Sequence, residues 1–289
     1  GAAQAEAARD PDRDGGEIVV TGDRDRDRAV RGFVAGITVE SEEQIARFPD
    51  PVCPASFGLS GAFNAFVAGR VREVARDAGI RVAAQPCRPN IVIIAAERGE
   101  DVLAAIQRRR PALLAGLDPS EIRRLTRMDG PVRSWQVVEQ RGGDGREMER
   151  ISFIRMSNGS LIYIGPSRHL NTPVASRLER NVRQDLALSV VIFDLDAIDG
   201  MTLAQIADHA AMRSLARTDP EAAPSGRTIL ALFQDMRAGA VPAGALTSLD
   251  AAYLRAVYAT DNRIRGRQQQ ANIARAVIRE SADAEGDAE

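Results

Sequence analysis

The sequence predicts an α+β domain in which helices pack on a mixed or antiparallel sheet. Three observations carry this. Helical periodicity is clear at residues 60–78 and again at 202–216 (TLAQIADHAAMRSLA). Short β-branched runs at 91–94 and 188–193 read as buried strands. Glycine-rich turn signals at 141–145 and 157–159 separate further strand-like runs. A chain of 289 residues has room for a substantial core in one large domain, placed at residues 31–261. Residues 1–30 read as a disordered arm, and 262–289 as an exposed helix with a disordered tail.

Composition narrows the chemistry. All 38 basic residues are arginine, so Schiff-base chemistry and a P-loop lysine are excluded. The net charge of −2 gives no global pull toward nucleic acid or anionic membrane. No apolar run approaches the roughly 20 residues of a membrane span. The small, polar start GAAQAEAARD resembles what remains after signal-peptide cleavage. Cys53 and Cys87 each stand beside proline at the ends of one helical segment. They read either as two free buried thiols or as a disulfide. The disulfide is favoured, and with it the periplasm or the exterior.

In the arm, Glu17, Ile18, Val19, Val20, Thr21 and Gly22 form a short β-prone segment. EIVVTG resembles the TonB box, the peptide that outer-membrane receptors add as a strand to TonB. That resemblance implies an envelope protein partner bound by β-addition. The plain alternative is an ordinary edge strand or leader segment. The alternating Asp/Arg run from Asp23 to Arg28 reads as a solvated linker.

Residues 42–48 (EEQIARF) read as a brief helix. Residues 60–78 read as an amphipathic helix with Ser60 as N-cap and Phe63, Phe66, Val67, Val71 and Val74 on its apolar side. GLSG at 58–61 is not a nucleophile elbow, because Ala62 replaces the final glycine. Helices are expected at 101–110, ended by Pro111, and at 118–127, capped by Asp118 or Ser120. Residues 132–140, 146–156 and 161–164 read as an antiparallel meander with Trp135, Phe153 and Tyr163 as packing residues. Residues 177–185 read as a helix. His169 reads as a solvated loop histidine.

Thr202 and Gln205 make a capping box for the 202–216 helix. Asp208 and His209 are adjacent and point about 100° apart, so they cannot chelate one metal as an i, i+4 pair does. They read as a polar helix flank.

A second capping box, Thr247 to Asp250, opens the last regular helix. The order helix, link, T-I-L segment and L-T-x-x-D-x-x-x-L-x-x-x-Y resembles the end of zincin-type metallopeptidases. It is also similar to uncharacterised secreted proteins of alphaproteobacteria. The resemblance covers residues 186–260. It implies a zincin-like fold in which Ala204 stands at the first metal histidine, Gln205 at the glutamate and Asp208 at the second histidine. Alanine cannot bind metal and glutamine cannot take a proton, so it implies a pseudo-enzyme without metal or other cofactor.

Three readings follow. The first is a secreted, non-catalytic envelope binding or accessory protein. In it Asp208 and His209 are dispensable for stability. The second is a metal-dependent hydrolase with an unconventional site near Asp208, His209 and His169, in which both histidines and a carboxylate such as Asp194 or Asp196 converge in one cleft. The third is a small-ligand carrier with an apolar pocket around Trp135 and Tyr163.

Overall fold

Residues 91–96, IVIIAA, are apolar without alternation, which suits a strand covered on both faces. The computed structural model places them there. It describes residues 23–40, 44–115, 117–128, 130–142, 149–155, 161–169, 182–224 and 226–286, with the backbone alone for 149–155, 161–169 and 283–286.

The elements run in the order α1 (Asp23–Ile37), β1 (Pro54–Phe57), α2 (Gly61–Asp77), β2 (Ile91–Ala96), α3 (Gly99–Arg109), α4 (Pro119–Arg127), β3 (Val132–Gly142), β4 (Glu149–Arg155), β5 (Leu161–His169), β6 (Val182–Asp194), α5 (Leu195–Ile198), α6 (Leu203–Leu215), α7 (Leu232–Arg237), α8 (Ser248–Ala259) and α9 (Gly266–Gly286). The main sheet has the order β1-β2-β6-β3. β1, β2 and β6 are parallel, and β3 is antiparallel to β6 at one edge. The domain is therefore α+β with a mixed sheet.

The sheet is covered twice. Ile91, Ile93, Ala95, Val191 and Phe193 face the larger core, shared with α2, α6 and α8. Trp135, Val190 and Ile192 face a smaller core with Leu103 and Ile106 of α3 and Leu125 of α4. Trp135 is buried and donates its indole N–H to the Leu113 carbonyl at 2.9 Å, as a packing residue does. Gly58 has φ +93° in the turn after β1, and a Cβ there would lie 1.8 Å from the Ala95 carbonyl oxygen. Only glycine lets β1 pass that close to β2.

Several expectations are corrected. β3 pairs with β6, and β4 with β5 in a separate two-stranded sheet, so there is no three-strand meander among the described residues. The long antiparallel register from Val132↔Phe193 to Gly142↔Val182 outweighs the local hairpin signal. Residues 182–185 belong to β6 rather than to a helix. His169 ends β5 opposite Glu149 instead of lying in a loop. The Asp/Arg run opens α1, where Asp25–Arg28 and Asp27–Arg31 pair at helical spacing, so it is not a linker. Residues 44–48 are not helical: Arg47 bridges to Asp185 beside β6. Phe63 and Phe66 are exposed, and α2 buries Val67, Val71 and Val74 instead. α9 is only partly exposed, because Ile273, Ala274 and Val277 are buried. It also takes in residues 281–286, which were expected in the tail.

Cys53 and Cys87 are bridged, with Cα atoms 6.2 Å apart. The bridge ties the entry of β1 to the loop between α2 and β2. No helix of the described residues is long and apolar enough to cross a membrane.

The bridge closes a loop with a sequence separation of 34. Its removal in a Cys53→Ala/Cys87→Ala variant should therefore lower the unfolding free energy by about 4 kcal/mol. Urea titration monitored by circular dichroism measures this. A loss below about 1 kcal/mol would show that the loop is constrained by other contacts.

Candidate functional site

α6 starts as its sequence requires. Thr202 accepts from the Gln205 amide at 3.1 Å, and the Gln205 side chain accepts from the Thr202 amide at 3.1 Å. Gln205 also donates to the Ala243 carbonyl at 3.0 Å. Both groups of its side-chain amide are thus structural. Ala204 is half-buried and offers no donor.

From Ile206 to Leu215 every residue of α6 is buried, so Asp208 and His209 do not form a polar flank. The helix is enclosed by the sheet, by α2 and by the segment around α8. Asp208 is fully buried. Its Oδ1 accepts from Arg70 Nε at 2.7 Å. Its Oδ2 accepts from Arg70 Nη2 at 3.3 Å and from the Leu246 amide at 2.6 Å. This carboxylate locks α6 to α2 and to the chain entering α8. In turn it holds the Arg70 guanidinium protonated more firmly than usual.

His209 is 1% exposed and wedged edge-on between Phe193 and Phe233, with ring centroids 5.8 Å and 5.1 Å away. Burial, helped by the nearby Arg213, pushes its pKa well below the ordinary imidazole range. Its Nδ1 is buried without a hydrogen-bond partner. Arg213, one turn on, is pushed down to about 10 by burial and donates to Thr218 Oγ1 and the Asp219 carbonyl.

Asp194 ends β6 and Asp196 follows in α5, both in a cleft of about 540 Å³ shared with Glu97, Met201, Met236 and Arg237. Clefts at the carboxyl ends of parallel strands are where open α/β sheets place ligands. Asp194 is already engaged: it accepts from the Gly99 amide at 2.6 Å and from Arg133 at 3.3 Å. A Cβ at Gly99 would lie 2.7 Å from Asp194 Oδ1, so glycine is needed for this approach. Phe233 lines the same cleft, whereas His209 does not. The imidazole lies behind that wall and does not join the carboxylates. Among the described residues no group of three or more His, Cys, Asp or Glu side chains is placed to hold a metal ion. Glu17, Ile18, Val19, Val20, Thr21 and Gly22 lie outside the described residues.

Reading the sequence missed the functions of the L-T-x-x-D helix. Asp250 is buried and accepts from the Ile229 amide at 2.9 Å, from Thr247 Oγ1 at 2.7 Å and from Thr228 Oγ1. Burial raises its pKa, against these bonds. Tyr258 donates to the Leu215 carbonyl at 2.6 Å, fixing the C-terminal end of α6. Helical spacing alone does not reveal such cross-links. Also missed were the exposed aromatics Phe57, Phe63 and Phe66, at edge strand β1 and the start of α2.

No family model, curated protein or solved structure matches the chain.

Removing either partner of the α2–α6 lock should destabilise the fold, contrary to the dispensability expected from sequence. Asp208→Ala should cost about 3 kcal/mol. Arg70→Ala should cost more, because a fully buried carboxylate is then stranded, whereas the Arg70 side chain is 31% exposed and can turn to water. Denaturant titration of the two variants gives the order, and the reverse order would refute the stranded-charge argument.

His209 sets a pH dependence. Its folded pKa is depressed, so below about pH 6.5 the unfolded chain binds a proton that the folded chain does not. Its contribution is therefore complete above that pH and is lost as pH falls. From pH 6.5 to 5.5 the wild type should lose about 1 kcal/mol relative to His209→Gln. The raised carboxyls Asp185 and Asp250 act with the opposite sign and are common to both proteins. Equal pH slopes in the two proteins would show that His209 is protonated in the fold.

Proposed function

We propose that the chain is a non-catalytic binding or accessory protein of the cell envelope, secreted or periplasmic, a pseudo-enzyme built on a metallopeptidase-like plan. The observation that carries this reading is the use of Asp208. The one potential ligand left on the degenerate helix spends both carboxylate oxygens on Arg70 and the Leu246 amide. Ala204 and Gln205 supply neither ligand nor base, and His209 faces aromatic rings. The zincin resemblance rests on the sequence order that β6, α6, the 3₁₀ turn Ile229–Ala231 and α8 occupy. The disulfide supports an oxidising compartment. Partner contacts are assigned to the arm at residues 17–22, with the exposed Phe57, Phe63 and Phe66 as a second apolar surface.

A carrier role is favoured by one observation, the 540 Å³ cleft walled by Met201, Phe233 and Met236 beneath carboxylates. It moves the ligand from Trp135 to the far end of β6.

Protein purified without chelator should carry less than stoichiometric zinc by elemental analysis, and should leave a peptide library uncleaved. Capture from an envelope extract should yield a partner that is lost when residues 17–22 are deleted. Stoichiometric zinc that disappears in Asp208→Ala/His209→Ala, together with peptide cleavage, would overturn the reading.

A further inference from the structure

At the N-terminal end of β6 the register sets two arginines face to face. Arg141 of β3 and Arg183 of β6 are directly paired. Like charges directly opposite across two strands are destabilising unless something neutralises them. Here the buried Asp185 does so in part, with Arg183 Nε at 3.0 Å and Arg141 Nε at 3.7 Å. Asp50, on the surface, takes Arg141 Nη1 at 3.3 Å, and Glu139 lies 3.9 Å from Arg141 Nη2.

Two more arginines, Arg47 and Arg81, line the same cleft of about 490 Å³. Arg47 spends Nη1 on the carbonyls of Val257, Tyr258 and Thr260 at the C-terminal end of α8. Arg81 donates to the Pro49 carbonyl. Neither has a carboxylate within 4.0 Å among the described residues. Among the described residues Asp50 is the one acid that lines the cleft, and Asp185 and Glu139 lie beside its arginines, against four guanidiniums. The charge is thus unbalanced where the cavity opens. Arg141 Nε and Asp185 Oδ1 are also buried without hydrogen-bond partners.

We propose that this cleft is an anion-binding site that takes the phosphate or carboxylate group of a small molecule. Arg81 and Arg183 line it with guanidinium groups that each make one hydrogen bond among the described residues, and Arg47 and Arg141 form its fixed wall. A guanidinium fork matches the two oxygens of a carboxylate or phosphate, which a point charge does not. Bound there, the anion completes the neutralisation that Asp185 begins. The volume exceeds that of a bare phosphate, so the charged group is one end of a larger molecule. The site lies at the opposite end of β6 from the Asp194 cleft and does not depend on how α6 is read.

Calorimetric titration of the full chain with pyrophosphate and with citrate, at low and at physiological salt, tests it. Saturable binding of at least one probe is expected, and which probe binds more tightly assigns the phosphate or the carboxylate class. Arg81→Gln and Arg183→Gln should each weaken binding at least tenfold. Arg108→Gln, on the far side of the sheet, should leave it unchanged. Arg81 is exposed, so its variant decides the matter even if Arg183→Gln unfolds. Binding of neither probe at 10 mM, or equal weakening by Arg108→Gln and Arg81→Gln, would overturn the proposal.

Discussion

The contact between Arg70 and Asp208 ties together the elements that carry the sheet. α2 and α6 both lie under the parallel strands, and the chain entering α8 passes beside them. A carboxylate with no exposure carries a large desolvation cost, offset here only because both oxygens accept charge-assisted or amide hydrogen bonds. Removing any one donor leaves that cost uncompensated. The lock therefore fixes the middle of α6, while Gln205 fixes its start through Ala243 and Tyr258 fixes its end through Leu215. Gln136 of β3 adds a bond to the Arg213 carbonyl at 2.7 Å, joining the same helix to the sheet edge.

A helix held in this way turns its polar groups inward from Ile206 onward. From Ile206 onward its whole circumference is covered, so residues that look like a polar flank in one dimension become interior cross-links. His209 shows the difference most clearly. Its ring serves as a third aromatic plate between Phe193 and Phe233, and its burial keeps it neutral. Two clefts lie at the ends of β6, one with acidic groups at Asp194 and one with basic groups at Arg183.

What could be read from sequence was whatever depends on neighbours along the chain. Ser60, Asp118, Thr202 and Thr247 cap the helices where their spacing places them. The unbroken apolar run of β2 marked a strand covered on both faces. The cysteine pair, each beside proline, favoured a bridge that the structure contains. What could not be read depends on partners far apart. β6 pairs with β3 and β2 instead of following a meander, because a register running from Gly142 to Val132 buries more than the local turn does. The acidic and basic side chains of α1 alternate as in a linker, yet Phe33, Val34 and Ile37 at its end enter the core and hold it as a helix. Phe63 and Phe66 follow the helical period but fall outside the cover of the sheet. Periodicity predicts a face, not what covers it.

The same contrast separates structural polar groups from those open to a ligand. Asp208 and Asp250 are buried, and every oxygen of theirs has a partner, which is how a polar group serves the fold. His209 Nδ1 lacks a partner but is sealed behind Phe193 and Phe233, so nothing from solvent can reach it. At Arg141 and Arg183 both conditions for binding coincide. A cross-strand like-charge pair breaks the local rule of sheet pairing, Arg47 and Arg81 add further positive charge beside it, and a cleft gives access. Positions where a local rule is broken without internal compensation are where function is expected in a sequence otherwise consistent with its fold.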